Sequence, residues 1–418
     1  MFRKEVLSNG LTVLTEKMPH VRSLALGVWL RKGSRHEQRA ESGLAHFLEH
    51  MVFKGTERRT QAEIAQEMDE IGGQTDAFTA HEYAGFHAKV LDEHVVRAVD
   101  LLSDIVSHPR FEPEEIERER KVILDEMKSV EDTPDDVVHD LFSEAFWPNH
   151  GLGRPVLGRV ETVSSFRRKD VLGFFRKIYT PANLIVAAAG NLEENKMLDL
   201  VRERFSSLFG PPDGIAEVPP TVAPSIQLAE KDLELAHLVL GAEAPPLAAP
   251  ERYAAYVLNA VLGGNLSSRL FQVIREEHAL AYSVFSSLST YRDTGQLAIY
   301  AGTEPQNVQK LLDLVMIELR RIKSEPVAEA EIQRAKSHLR GSILMGLEST
   351  SARMSQLARQ EMYFGRHVDP DEVISGIDGV TSAQVLELAS GIFGRGPLAM
   401  TVLGRLEHLS SIPESLVA

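Results

Sequence analysis

A chain of 418 residues exceeds one ordinary hydrophobic core, so two domains are expected. With 43% apolar and 25% charged residues it reads as a soluble globular protein, and its net charge of −15 argues against a nucleic-acid partner while leaving cationic partners open. The absence of cysteine excludes thiolate catalysis, disulfides and cysteine-ligated zinc.

The first residues carry no apolar signal core, and Asn9-Gly10 predicts a hairpin over Val6–Glu16. No run approaches the roughly 18 consecutive apolar residues of a membrane span. The densest, Leu184–Ala189, has six, and a cytoplasmic location is expected. Ser23–Arg31 reads as a strand and Arg35–Glu41 as a polar loop. Ser42–Gly55, SGLAHFLEHMVFKG, then predicts a helix ending near Lys54-Gly55. Thr60, with Glu63 as its capping-box partner, opens a second helix over Gln61–Ile71. Gly72-Gly73 turns the chain into strands within Gln74–Val90, and Asp92 begins a helix to Ser107. Further helices are predicted at Phe111–Glu131, Asp135–Ala145 and Arg167–Ile178, followed by a buried strand at Leu184–Ala189. Gly210–Ser225 holds five prolines and reads as an extended linker.

Within the first helix, His46 and His50 lie at i and i+4 on one face, with Glu49 beside them. Two imidazoles and an adjacent carboxylate suit a divalent metal with an open coordination position, in the H-x-x-E-H order of inverted zincins. A helix with surface histidines is the bland alternative for so short a motif. In the Phe111–Glu131 helix, Glu119 and Glu126 are seven apart and share a face. Such acids most often form a solvated surface.

The second half of the chain restates the first. Glu16-Lys17 matches Glu230-Lys231, Leu26-Gly27 matches Leu240-Gly241, Val171-Leu172 matches Val385-Leu386 and Gly190 matches Gly404, all at an offset of 214. Two positions further on, Glu115-Ile116 falls on Glu331-Ile332. The fold class expected is α+β: two similar α/β domains related by internal duplication, each a mostly antiparallel sheet packed with helices. The first domain would span 1–209, the linker 210–225 and the second domain 226–418. On the repeat register Glu119 and Glu126 become Ala335 and Ser342, and no H-x-x-E-H counterpart occurs near Leu258–Leu266. Only the first copy carries the full set of candidate residues.

The segment GLAHFLEHMVFKGT, with Glu126 lying 76 positions after His50, resembles the pitrilysin/insulinase family of zinc metallopeptidases. The branch that includes the mitochondrial processing peptidase β subunit and its bacterial relatives is the nearest in length and form. GGQTDAFTAHEYAGF, WPNHGLGRPVLG, GGNLSSRLFQVIREEHALAYSV and YRDTGQLAIYAGT extend the resemblance along essentially the whole chain. It implies Zn2+ held by His46, His50 and Glu126, Glu49 as general base, and Glu119 as an acid supporting the site. It also implies that Arg275 and Tyr282 face the substrate, and that Gln74–Thr79 is an edge strand pairing with peptide, with Asp76 where relatives commonly show Asn. The activity implied is endopeptidase cleavage of unfolded or presequence-like peptides, in a homodimer whose partner chain supplies Arg275 and Tyr282. The alternatives are a non-catalytic scaffold subunit or the catalytic half of a heterodimer. His81, Glu82 and His87 are expected to be surface residues rather than a second metal site.

Overall fold

The apolar runs of the sequence become the central strands of two sheets, each buried on both faces. The computed structural model describes residues 2–211, 214–409 and 416–418; Met1 and, inside the predicted linker, Pro212 and Asp213 lie outside the described residues. Strands β1 (Phe2–Val6), β2 (Thr12–Lys17) and β3 (Ser23–Leu30) come first, and the Asn9-Gly10 hairpin closes with Val6 opposite Thr12. Helices α1 (Leu44–Met51) and α2 (Gln61–Glu70) follow, then strands β4 (Gln74–Thr79) and β5 (Ala84–Leu91). Thr60 and Glu63 form the predicted capping box of α2. Helices α3 (Val95–Ser107), α4 (Pro113–Glu131), α5 (Pro134–Phe146), α6 (Val160–Ser165) and α7 (Arg168–Ile178) precede β6 (Leu184–Gly190) and α8 (Glu194–Arg204). The sequence reading did not include α6 or α8.

The second half begins with β7 (Ile226–Glu230), β8 (Ala236–Ala244) and α9 (Arg252–Leu262). A π-helical stretch at Phe271–Glu277 leads into β9 (Ala281–Thr290) and β10 (Gly295–Thr303). Helices α10 (Val308–Ser324), α11 (Glu329–Gly346), α12 (Thr350–Phe364), α13 (Pro370–Asp378) and α14 (Ser382–Gly394) precede the last strand, β11 (Ala399–Gly404). No helix among the described residues is long and apolar enough to cross a membrane.

The first sheet has the order β1-β2-β6-β3-β5-β4 and the second β7-β11-β8-β10-β9. Each contains one parallel pair, β2 with β6 and β7 with β11, and is otherwise antiparallel. The two orders superimpose strand for strand on the repeat register, with β1 the addition in the first. This is the duplicated α+β fold expected from the sequence.

Contacts divide the chain into two compact units whose segments interleave. One contains the residues up to Lys128, Arg154–Val218 and Met345–His367; the other contains Ser129–Gly153, Pro219–Leu344 and Val368–Ala418. Helix α12, from the second half of the sequence, therefore belongs to the first unit, and α5, from the first half, belongs to the second. In β6 the alternation decides the packing: Leu184, Val186 and Ala188 join the large core beneath α1, α3 and α7, whereas Ile185, Ala187 and Ala189 pack with Met354, Leu357 and Ala358 of α12. Helix α5 covers the second sheet in the same way, placing Val138 and Phe142 against Val239 and Leu403. The two cover helices are equivalent on the register that aligns α4 with α11. The linker has no regular structure in its described residues, but Glu217 pairs with Lys32 at 3.1 Å and so ties its first part to the first unit.

Candidate metal centre

Helix α1 presents two faces. Leu44, Phe47, Leu48 and Met51 recur at helical spacing and are buried in the core, which leaves His46, Glu49 and His50 together on another side. Its N-terminus is fixed by Gly43, whose φ of +97° suits glycine, and by Glu37. The Glu37 carboxylate accepts hydrogen bonds from the backbone N–H of Gly43 at 2.9 Å and Ala45 at 2.7 Å. Burial pushes this carboxyl up to about 8, against the opposing influence of the two N–H donors and Arg154. The loop read from sequence as merely polar is thus a buried cap for the histidine helix.

In α4 the buried stripe is Ile116, Glu119, Ile123 and Met127. Glu119 is on that stripe and not on a solvated face, because the α4 side that meets α1 is where the acid is used. Its Oε2 lies 3.1 Å from His50 Nδ1, which donates, and Lys54 Nζ lies 2.7 Å from its Oε1. Burial raises the Glu119 pKa, but His50 and Lys54 outweigh it and hold the carboxyl below its ordinary value. A carboxylate that orients one imidazole nitrogen leaves the other free for a metal.

That other nitrogen, His50 Nε2, lies 3.6 Å from Glu126 Oε2, and His46 Nε2 lies 3.8 Å from the same oxygen. These separations are too long for strong hydrogen bonds. Two bonds of about 2.1 Å at a tetrahedral angle hold ligand atoms about 3.4 Å apart, so the spacing fits a small divalent ion. Burial, with His50 nearby, pushes His46 down to about 4, leaving it neutral at pH 7, the form a metal ligand requires. Among the described residues His46, His50 and Glu126 are the group that could hold a metal. The donor set fits zinc with three protein ligands and an open position.

Glu49 stands beside this group. Its Oε2 accepts a 2.6 Å hydrogen bond from Thr79 Oγ1. Burial raises its pKa, opposed by the Thr79 hydrogen bond. Thr79 closes β4, the edge of the first sheet, which pairs with β5 alone. A cavity of about 330 Å³ lies between, lined by Glu49, His50, Phe53, Met68, Asp76 and Ala77 among others. His50 of the candidate metal group, the Glu49 carboxylate and residues of the open strand edge therefore line one cavity.

Arg275 and Tyr282 are brought together within the second unit. The Arg275 guanidinium lies 4.5 Å from the Tyr282 ring centroid and donates to the Tyr282 carbonyl at 3.1 Å, and Tyr282 is 83% exposed. Glu82 is not the surface residue expected: it is buried, held by Arg35 and by Tyr363, whose hydroxyl donates to it at 2.7 Å. His81 is hydrogen-bonded to Ser34 at 3.0 Å, and His87 is half-buried on β5. Sequence reasoning did not single out Thr79, Lys54 or Glu37. Lys54 had a signal, since it follows His50 by four positions; Glu37 and Thr79 are set by tertiary contacts and had none.

Comparison with known proteins places the whole chain in a family. Residues 12–160 match the insulinase family (peptidase family M16), and residues 165–339 match the peptidase M16 inactive domain. An uncharacterized zinc protease of Bacillus subtilis is 39% identical, with 94% of this chain and 96% of that protein covered. One from Mycobacterium leprae is also 39% identical, covering 99% of this chain and 94% of its own length. The fold matches a crystal structure of a protease from Helicobacter pylori with a TM-score of 0.90 at 21% identity, covering 96% of this chain and 99% of that one. With family models matching residues 12–160 and 165–339 and relatives of this identity along its length, the chain belongs to the pitrilysin/insulinase (M16) family of zinc metallopeptidases.

Proposed function

We propose that the chain is a zinc-dependent endopeptidase acting on unfolded or presequence-like peptides. The observation that carries this reading is the placement of Glu49 beside the His46/His50/Glu126 group, with Glu49 and His50 lining the cavity bordered by β4. His46, His50 and Glu126 would hold the ion, and Glu119 would fix the His50 tautomer. Zinc, when bound, supplies Lewis acidity that activates water and polarises a carbonyl. Glu49, partly desolvated, accepts a proton from the attacking water and passes it to the departing amine nitrogen. An extended substrate pairs its backbone with the open side of β4, with one side chain entering the 330 Å³ cavity.

Arg275 and Tyr282 are proposed donors to the carbonyl oxygen as it gains charge, supplied to the zinc site by a second copy of the chain in a homodimer. Zinc analysis with a peptide assay tests the core of this reading. Glu49→Gln should retain zinc and lose turnover; turnover at the wild-type rate would refute it. Mixing inactive His46→Ala with inactive Arg275→Ala protein should restore cleavage, and no rescue would count against the shared site.

A further inference from the structure

Among the described residues Thr79 supplies the only side-chain hydrogen bond to the Glu49 carboxylate. At 2.6 Å it has the length of a charge-assisted O–H···O⁻ bond. A threonine hydroxyl has one proton to give. The competing acceptor, the Ala45 carbonyl, is 3.5 Å away, so the proton is committed to Glu49. The backbone around Thr79 is equally fixed. Ala80 donates to the Tyr83 carbonyl at 2.8 Å, and Ser34 and Arg35 donate to the carbonyls of Ala80 and His81 at 3.1 and 2.8 Å. Gly33 allows this approach, since a Cβ there would stand 2.1 Å from the Ala80 oxygen. The strand that borders the cavity therefore has a fixed C-terminal end, and that end holds the carboxylate of α1. At the other end Gln74 and Asp76 are exposed.

We propose that Thr79 is a positioning residue: its hydroxyl aims the Glu49 carboxylate, so that the strand receiving the peptide also sets the base. The inference rests on the peptidase reading above. It goes beyond that reading by making the alignment of the base depend on the edge strand and not on α1 alone. A backbone drawn against β4 is then registered to the same post that orients Glu49, which keeps the scissile bond and the base in one frame.

Thr79→Val removes the hydroxyl at nearly constant volume, Thr79→Ser restores it, and Thr79→Ala controls for packing. The expected result for Thr79→Val is a kcat about 10- to 100-fold lower, from misalignment of the base, with KM and bound zinc unchanged. Thr79→Ala should match Thr79→Val, and Thr79→Ser should return kcat to near the wild-type value. Melting temperatures of all three report folding separately. In a Glu49→Gln background, Thr79→Val should cause no further loss. Wild-type kcat in Thr79→Val, or a Thr79→Ser variant as slow as Thr79→Val, would overturn the proposal while an inactive Glu49→Gln leaves the peptidase reading intact. An active Glu49→Gln would instead remove the reading on which it rests.

Discussion

Gly190 at the end of β6 and Gly404 at the end of β11 both hold φ at +142°. Each lies against the strand beside it: a Cβ on Gly190 would stand 2.3 Å from the Ser23 oxygen, and one on Gly404 would stand 2.9 Å from Ala236 Cα. The two units thus repeat the fold down to single backbone conformations. Helices α4 and α11 do not repeat each other's chemistry. Glu119 and Glu126 in the first stand where Ala335 and Ser342 stand in the second, and Ala335 is buried among apolar neighbours. Duplication preserved what packs the sheets and left the charged cluster in one copy. Buried carboxylates persist only where partners offset their desolvation, and His50 and Lys54 exist in one copy alone.

The strongest way to break the contrast is to make the first copy like the second. Glu126→Ser removes the proposed carboxylate ligand, and the expected result is loss of stoichiometric zinc and of peptide cleavage, read by metal analysis and a peptide assay. Retention of both would mean that Glu126 holds nothing. The reverse change tests the other unit. Ala335→Glu buries a carboxylate in an apolar cluster where no counterpart of His50 or Lys54 stands among the described residues, so stability should fall by about 3–5 kcal/mol, measured by urea unfolding. A variant as stable as the parent would show that α11 can accommodate the acid that α4 carries.

Next in size is Glu119→Ala, which substitutes the sister residue and leaves His50 Nδ1 and Lys54 without their shared carboxylate. Zinc affinity should drop about 10- to 100-fold, as is usual when an outer partner of a ligating histidine is lost. Competition with a chelator reads this directly. An unchanged affinity would reduce Glu119 to a packing residue.

Much of this contrast was legible without coordinates. The spacing of His46, Glu49 and His50 needs only helical geometry; the offset of 214 exposed the duplication, and the register two positions further on exposed its missing acids. Helix α2 was readable because Thr60 and Glu63 determine its start locally. Three features were not legible. The burial of Glu119 depends on which side of α4 meets α1, and a helix rich in acids hides that choice. The caps and anchors at Glu37 and Thr79 join residues from separate elements, so no local pattern announces them. The interleaving of the units was also hidden, because α5 and α12 are amphipathic and either sheet would satisfy them.

That interleaving supplies the smallest of the expected effects, in a comparison of the two cover helices. Helix α5 carries Asp136, Asp140 and Glu144, and on the repeat register α12 has Ala352, Gln356 and Gln360 at those positions. Burial, followed by repulsion from Asp136 and Glu144, pushes Asp140 up to about 6. A carboxyl raised in the folded state favours folding when protonated. Its contribution is therefore complete below the unfolded value of about 4 and is lost as pH rises through about 6. Asp140→Asn, which makes α5 resemble α12, should remove that loss. The variant should match wild type near pH 4 and exceed it above pH 7 by about 1–2 kcal/mol after allowance for solvent screening. Urea midpoints for both proteins across that range decide the matter. Parallel curves would mean that Asp140 gains a compensating partner on ionisation, and that the second sheet tolerates its acidic cover as readily as the first tolerates its neutral one.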